Sequence, residues 1–97
     1  MNERVLVIDD NRRFLESVLR ALQVEGIECI GETDPKAAVE KFRANPTDVV
    51  VVDFKYDATP DFTGLDVIAA IQKIKPLTRT ILISGRIDHG VLDEESL

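Results

Sequence analysis

Apolar residues in this chain fall into short dense runs, separated by stretches where they recur every third or fourth position. Val5-Leu6-Val7-Ile8 is the first run. It is β-branched and lacks polar alternation, which predicts a buried strand over residues 4–8. Phe14, Leu15, Val18, Leu19 and Leu22 then repeat at helical spacing and predict one apolar stripe on a helix over 11–25. Gly26 stops that helix, as glycine commonly does just past a helical end. A weaker strand is predicted over 27–31. Thr33-Asp34-Pro35 supplies a capping side chain and a proline at the first helical position. The helix it opens turns Ala38, Val39 and Phe42 inward and ends at Asn45-Pro46.

Val49-Val50-Val51-Val52 dominates a strand predicted over 48–53. Four valines in a row suit a strand buried on both faces of a parallel sheet. A loop over 54–63 follows, long for its class. Thr63-Gly64-Leu65-Asp66 resembles a capping box. The helix after it carries Leu65, Ile68, Ile71 and Ile74 and stops before Pro76. A last strand covers 79–83, with Ser84-Gly85 at its end, and residues 87–95 begin another helix. Strand and helix alternate throughout. With right-handed crossovers this order predicts an α/β fold with a doubly wound parallel sheet.

Two adjacent aspartates, Asp9 and Asp10, close the first apolar run, and Asp53 closes the valine run. If both strands lie in one parallel sheet, all three carboxylates meet at the carboxyl edge, where open α/β sheets bind ligands. Such a trio repels itself. Each pair at ~4 Å costs roughly 1–4 kcal/mol for effective dielectrics between 80 and 20. A hard, oxygen-seeking divalent cation is the natural remedy.

Composition narrows the classes. The chain has 97 residues, enough for one domain over residues 1–97. Its net charge of −6 argues against nonspecific binding to nucleic acid or an anionic membrane. Arg12-Arg13 and the Lys73/Lys75 pair read as solvated helix faces, and the lone His89 as a surface residue. A single cysteine, Cys29, sits in an apolar context and reads as a small buried hydrophobe without an internal disulfide partner. Without a signal peptide or an apolar stretch of membrane-spanning length, the expected location is cytoplasmic.

Val7-Ile8-Asp9-Asp10-Asn11, Val51-Val52-Asp53, Gly64-Leu65-Asp66 and Ile83-Ser84-Gly85 run in this order over nearly the whole chain. The ordered set resembles the receiver domain of two-component response regulators. That resemblance implies a flavodoxin-like sheet of order 2-1-3-4, with the family's fifth strand and fifth helix missing here. It implies that Asp53 accepts a phosphoryl group from a sensor histidine kinase or phosphotransfer protein. It implies Mg²⁺ (or Mn²⁺) held by Asp9, Asp10, Asp53 and the Lys55 carbonyl, and a Ser84 hydroxyl on a phosphoryl oxygen. Such a domain is not an enzyme in the usual sense, although it catalyses its own phosphorylation and dephosphorylation. Each residue has a plainer alternative: Asp10 or Asn11 as a helix cap, Asp53 as a turn residue.

The sequence departs from the family twice. The lysine of the fifth strand, which pairs with the phosphoryl group, is absent. A truncated chain, a short form completed by self-association through its exposed edge strand, and a degenerate receiver would each account for that, and truncation is favoured. If Leu97 is the native end, a homodimer or larger species is expected. Second, Pro60 and Gly64 lie seven and eleven residues after Asp53, where the family tends to place them four and eight after. This implies a three-residue insertion. Lys55 and Arg86 border the expected pocket, and one of them is a candidate to replace the missing cation. The competing function is a phosphorylation-independent pseudo-receiver, acting as a protein-interaction or dimerisation module. A Mg²⁺-dependent hydrolase ranks lower, because Lys55, Asn11 and Arg12 occupy the positions where a second acid would stand.

Overall fold

The computed structural model describes residues 3–83. In chain order the elements are β1 (Arg4–Ile8), α1 (Arg12–Val24), β2 (Glu28–Glu32), α2 (Pro35–Ala44), β3 (Val49–Asp53), α3 (Gly64–Ile74) and β4 (Arg79–Ile83). All strand pairs are parallel, and the sheet order is β2-β1-β3-β4. This is the α/β doubly wound arrangement that the alternating pattern predicts. The predicted helix over 87–95, together with Ser84, Gly85, Arg86 and His89, lies outside the described residues.

Two cores flank the sheet. Val5, Val7, Leu15 and Val49 form one beneath α1, with Val18, Leu19 and Leu22 packed against them. Leu6, Ile8, Phe42, Val50, Val52 and Ile71 anchor the other, beneath α2 and α3. Successive residues of β1 and β3 serve opposite cores because strand side chains alternate between faces. That explains why these strands show no polar positions.

Three expectations of burial need correction. Phe14 lies at the margin of the α1 stripe and is 42% exposed. On α3, Leu65 is 55% exposed, and the buried line is Gly64, Val67 and Ile71. Val67 and Ile71 are four residues apart and share a face, whereas Leu65 is rotated off it. Cys29 is half-buried rather than buried, because β2 is an edge strand. Its thiol lies 3.5 Å from the Leu19 carbonyl, and burial pushes its pKa up.

Lys75 is also not merely solvated. Its ammonium donates to the Thr47 carbonyl at 3.3 Å and pairs with Asp48 at 3.7 Å, fixing the entry to β3. Asp48 also accepts the Arg4 N–H at 2.9 Å, so one carboxylate joins the starts of β1 and β3. Among the described residues, β4 is the second edge of the sheet, and Ile81 on it is 50% exposed.

Caps set where the helices begin. Asp34 accepts the Lys36 N–H at 3.1 Å ahead of α2. Asp66 reaches back to the Thr63 N–H at 2.8 Å ahead of α3, the reciprocal half of a capping box. Asp66→Ala is expected to cost roughly 0.3–1.5 kcal/mol, the usual worth of one such helix-end device. Urea denaturation of the two proteins checks it, with an unchanged m-value expected.

Candidate metal centre at the carboxyl edge of the sheet

The register sets the site. Ile8 pairs with Val52 in the β1–β3 ladder, so Asp9 and Asp53 leave neighbouring strands side by side. Asp10 follows directly. One carboxylate oxygen from each of Asp9, Asp10 and Asp53 lies within 4.8 Å of the other two. Asp9 is 3% exposed and Asp53 4%, while Asp10 is half-buried.

Backbone donors orient all three. The Asn11 N–H donates to Asp9 Oδ1 at 2.8 Å, the Phe54 N–H to Asp53 Oδ1 at 2.8 Å and the Asp57 N–H to Asp10 Oδ2 at 2.7 Å. Asn11 is the helix cap, its side chain accepting the Phe14 N–H at 3.1 Å. The plainer reading therefore holds for Asn11. Asp10 instead takes its bond from the distant β3–α3 loop.

Two features escaped the sequence reading. Tyr56 is fully buried in the core under α2 and α3. Its hydroxyl accepts the Asp53 N–H at 3.1 Å and donates to the Ile8 carbonyl at 3.3 Å. Burial, with the charges of Asp53, Asp9 and Asp10 nearby, pushes its pKa well above the usual phenol range. The phenol is therefore neutral and able to donate. It is the single tyrosine of the chain, in a loop that also carries Phe54 and Phe62, and no pattern in the sequence singles it out. Gly64 was named only as a motif member. Its N–H donates to the Phe54 carbonyl at 2.8 Å, closing the loop onto the strand end. Lys55, by contrast, is exposed.

Glu32 ends β2 beside the site, and its carbonyl accepts the Asp9 N–H at 3.1 Å. Its carboxylate accepts the N–H groups of Thr33 and Asp34, both at 3.0 Å, and pairs with Lys41 at 3.0 Å. Burial pushes its pKa up, but the Asp34 N–H and the Lys41 ammonium outweigh that and hold it below the ordinary glutamate value. A carboxyl whose folded pKa is depressed stabilises fully above its unfolded value and loses that contribution as pH falls through the folded one. Glu32→Gln is therefore expected to flatten the acid limb of the melting curve below about pH 4.3, the ordinary glutamate value. Thermal melts across the acid range read this directly.

The set of donors suits a hard cation: three carboxylates converge, and such ions take oxygen ligands. No helix among the described residues is long and apolar enough to cross a membrane.

Comparison with known proteins agrees with this fold. The chain is 35% identical over 91 residues to the probable transcriptional regulatory protein NarL of Mycobacterium tuberculosis, covering 92% of this chain and 41% of that protein. It is 35% identical over 87 residues to the chemotaxis protein CheY of Thermotoga maritima, covering 88% of this chain and 69% of that protein. The chain thus spans about two fifths of the NarL relative's length. A solved receiver domain from Clostridium thermocellum superposes with a TM-score of 0.77 at 28% identity, covering 97% of this chain and 75% of that one. A CheY-like receiver from Methanospirillum hungatei shares the fold, with a TM-score of 0.81 at 21% identity over 99% of this chain and 76% of that one. The family model of the response regulator receiver domain matches residues 5–94, and the chain belongs to that family of two-component signalling domains.

Proposed function

We propose that the chain accepts a phosphoryl group on Asp53 from the phosphohistidine of a sensor kinase or phosphotransfer protein. The observation that carries this reading is the convergence of Asp9, Asp10 and Asp53, two of them almost wholly buried, at one strand edge. An Asp53 carboxylate oxygen forms a bond to phosphorus as the phosphorus–nitrogen bond of the donor breaks. The electron pair stays with the imidazole, and the product is an acyl phosphate. The Phe54 N–H holds the nucleophilic carboxylate in orientation, so little ordering is left for the reaction itself.

Mg²⁺ fits the three carboxylates. Bound there, it would offset their repulsion and the charge of the transferring group. Asp10 and Asp53 would hold it, with Asp9 and the Lys55 carbonyl completing the donor set. Ser84, next in sequence after β4, is assigned the phosphoryl oxygen by the family resemblance alone.

Acetyl phosphate replaces the kinase in the test. Intact mass should rise by one phosphoryl group in Mg²⁺ and stay unchanged in excess EDTA. A folded protein that gains nothing in Mg²⁺ would return the chain to the pseudo-receiver reading.

A further inference from the structure

β1 and β3 separate at the site. Their ladder ends at the Ile8–Val52 pair. One residue further, the Asp53 N–H and the Ile8 carbonyl both bond to the Tyr56 hydroxyl, at 3.1 and 3.3 Å. The phenol thus acts as a rung between the two strands that carry the carboxylates. It is built into a rigid support, since Tyr56 packs with Ile8, Val52 and Val67 in the buried core. The next residue completes the hold, because the Asp57 N–H meets Asp10 Oδ2 at 2.7 Å. Consecutive loop residues therefore reach both strand ends of the acidic pocket.

From this geometry we infer that Tyr56 is a positioning residue, setting the separation of Asp53 from Asp9 and Asp10 and so the pocket's fit to Mg²⁺ and to the phosphoryl group. The inference rests on the proposed function and adds a residue to it. A hydroxyl that satisfies one buried donor and one buried acceptor holds both in place. Phenylalanine keeps the ring in the core and deletes only the rung. The two backbone groups must then find each other, which draws the strands together, or stay unpaired. The first outcome narrows the spacing of the carboxylates, and the second leaves it unfixed and the Asp53 amide open to exchange.

The experiment compares the parent with Tyr56→Phe. Mg²⁺ affinity is measured by calorimetry, acyl phosphate formation with acetyl phosphate, and exchange of the Asp53 amide by NMR in EDTA. Expected are an Asp53 amide that exchanges at least about tenfold faster and Mg²⁺ binding about tenfold weaker, the low end of the range for residues that orient metal ligands. A merely structural role would lower the melting temperature and leave Mg²⁺ affinity unchanged; that result overturns the inference while the proposed function stands. If the parent itself binds no Mg²⁺, the proposed function fails and takes this inference with it. Should Tyr56→Phe fail to fold, the parent still decides. Tyr56 is the single tyrosine and there is no tryptophan, so its emission can be followed alone. Its emission and ring-carbon shift should change on adding Mg²⁺ with beryllofluoride, and constancy of both would overturn the inference.

Discussion

Asp53→Asn is expected to abolish phosphoryl acceptance and, without divalent cation, to raise the melting temperature. The first effect is chemical: an amide oxygen is not an anionic nucleophile and forms no acyl phosphate. The second is electrostatic. Carboxylate oxygens of Asp9, Asp10 and Asp53 crowd within 4.8 Å. At ~5 Å each like-charged pair costs roughly 1–3 kcal/mol for effective dielectrics between 80 and 20. Asparagine removes two of the three pairs and keeps the shape. Its side-chain oxygen can still accept the Phe54 N–H, as Asp53 does at 2.8 Å. That bond weakens when the acceptor loses its charge, which offsets part of the relief.

A net gain of about 1 kcal/mol would raise the melting temperature by roughly 4–8 °C in a domain of this size. The order should reverse in Mg²⁺. A ligand bound only by the folded state stabilises by about 2.7 kcal/mol at one hundred times its Kd. The parent gains this, and the variant, short of one carboxylate, gains little. Melting curves of both proteins in EDTA and in Mg²⁺ test the crossing. Parallel shifts, with the variant below the parent in both, would mean that the three carboxylates do not share one repulsive site.

The parts of the fold most legible in the sequence were those where one face decides. The runs Val5-Leu6-Val7-Ile8 and Val49-Val50-Val51-Val52 carry no polar position, and both became interior strands. Pro35 and Asp34 marked the start of α2 because proline and a capping oxygen act locally. The acidic pocket was legible for the same reason: once two parallel strands are neighbours, the residues after them must meet. The stripe on α3 was misread because leucine in the first turn looks apolar wherever it points. Only packing against β3 showed that Val67 faces inward and Leu65 does not. Tyr56 was illegible because nothing in a loop's sequence states which strand end it folds back on. Its two partners are three and forty-eight residues away, and the second exists only after β1 and β3 have paired.

Gly64→Ala should cause the largest loss of stability of any glycine substitution among the described residues. A Cβ at this position would collide with the Asp53 carbonyl oxygen and lie 2.9 Å from a Leu82 methyl carbon. The methyl can swing aside, but the carbonyl belongs to the strand end beside the pocket. Nor can Gly64 retreat freely, because its N–H bonds to the Phe54 carbonyl at 2.8 Å. Among the described residues Gly26 is the glycine with positive φ, at 77°, so the demand at Gly64 is close approach rather than an unusual backbone shape. Overpacking of this kind costs roughly 1–3 kcal/mol when neighbours can shift, and more when they cannot.

Two other substitutions serve as controls. At Gly31 the added carbon would meet the flexible ends of Leu15 and Leu19, at 2.9 and 2.8 Å. At Gly26 it would meet nothing within 4 Å, leaving only the strain of a positive φ. The expected order of melting temperatures therefore places Gly64→Ala lowest. Because the obstructing atom is part of Asp53, the same variant should also lose Mg²⁺ affinity and accept phosphate more slowly, which neither control should do. If Gly64→Ala melts with the parent and is phosphorylated at the parent's rate, the tight seam between α3 and the end of β3 is not a feature of the folded protein.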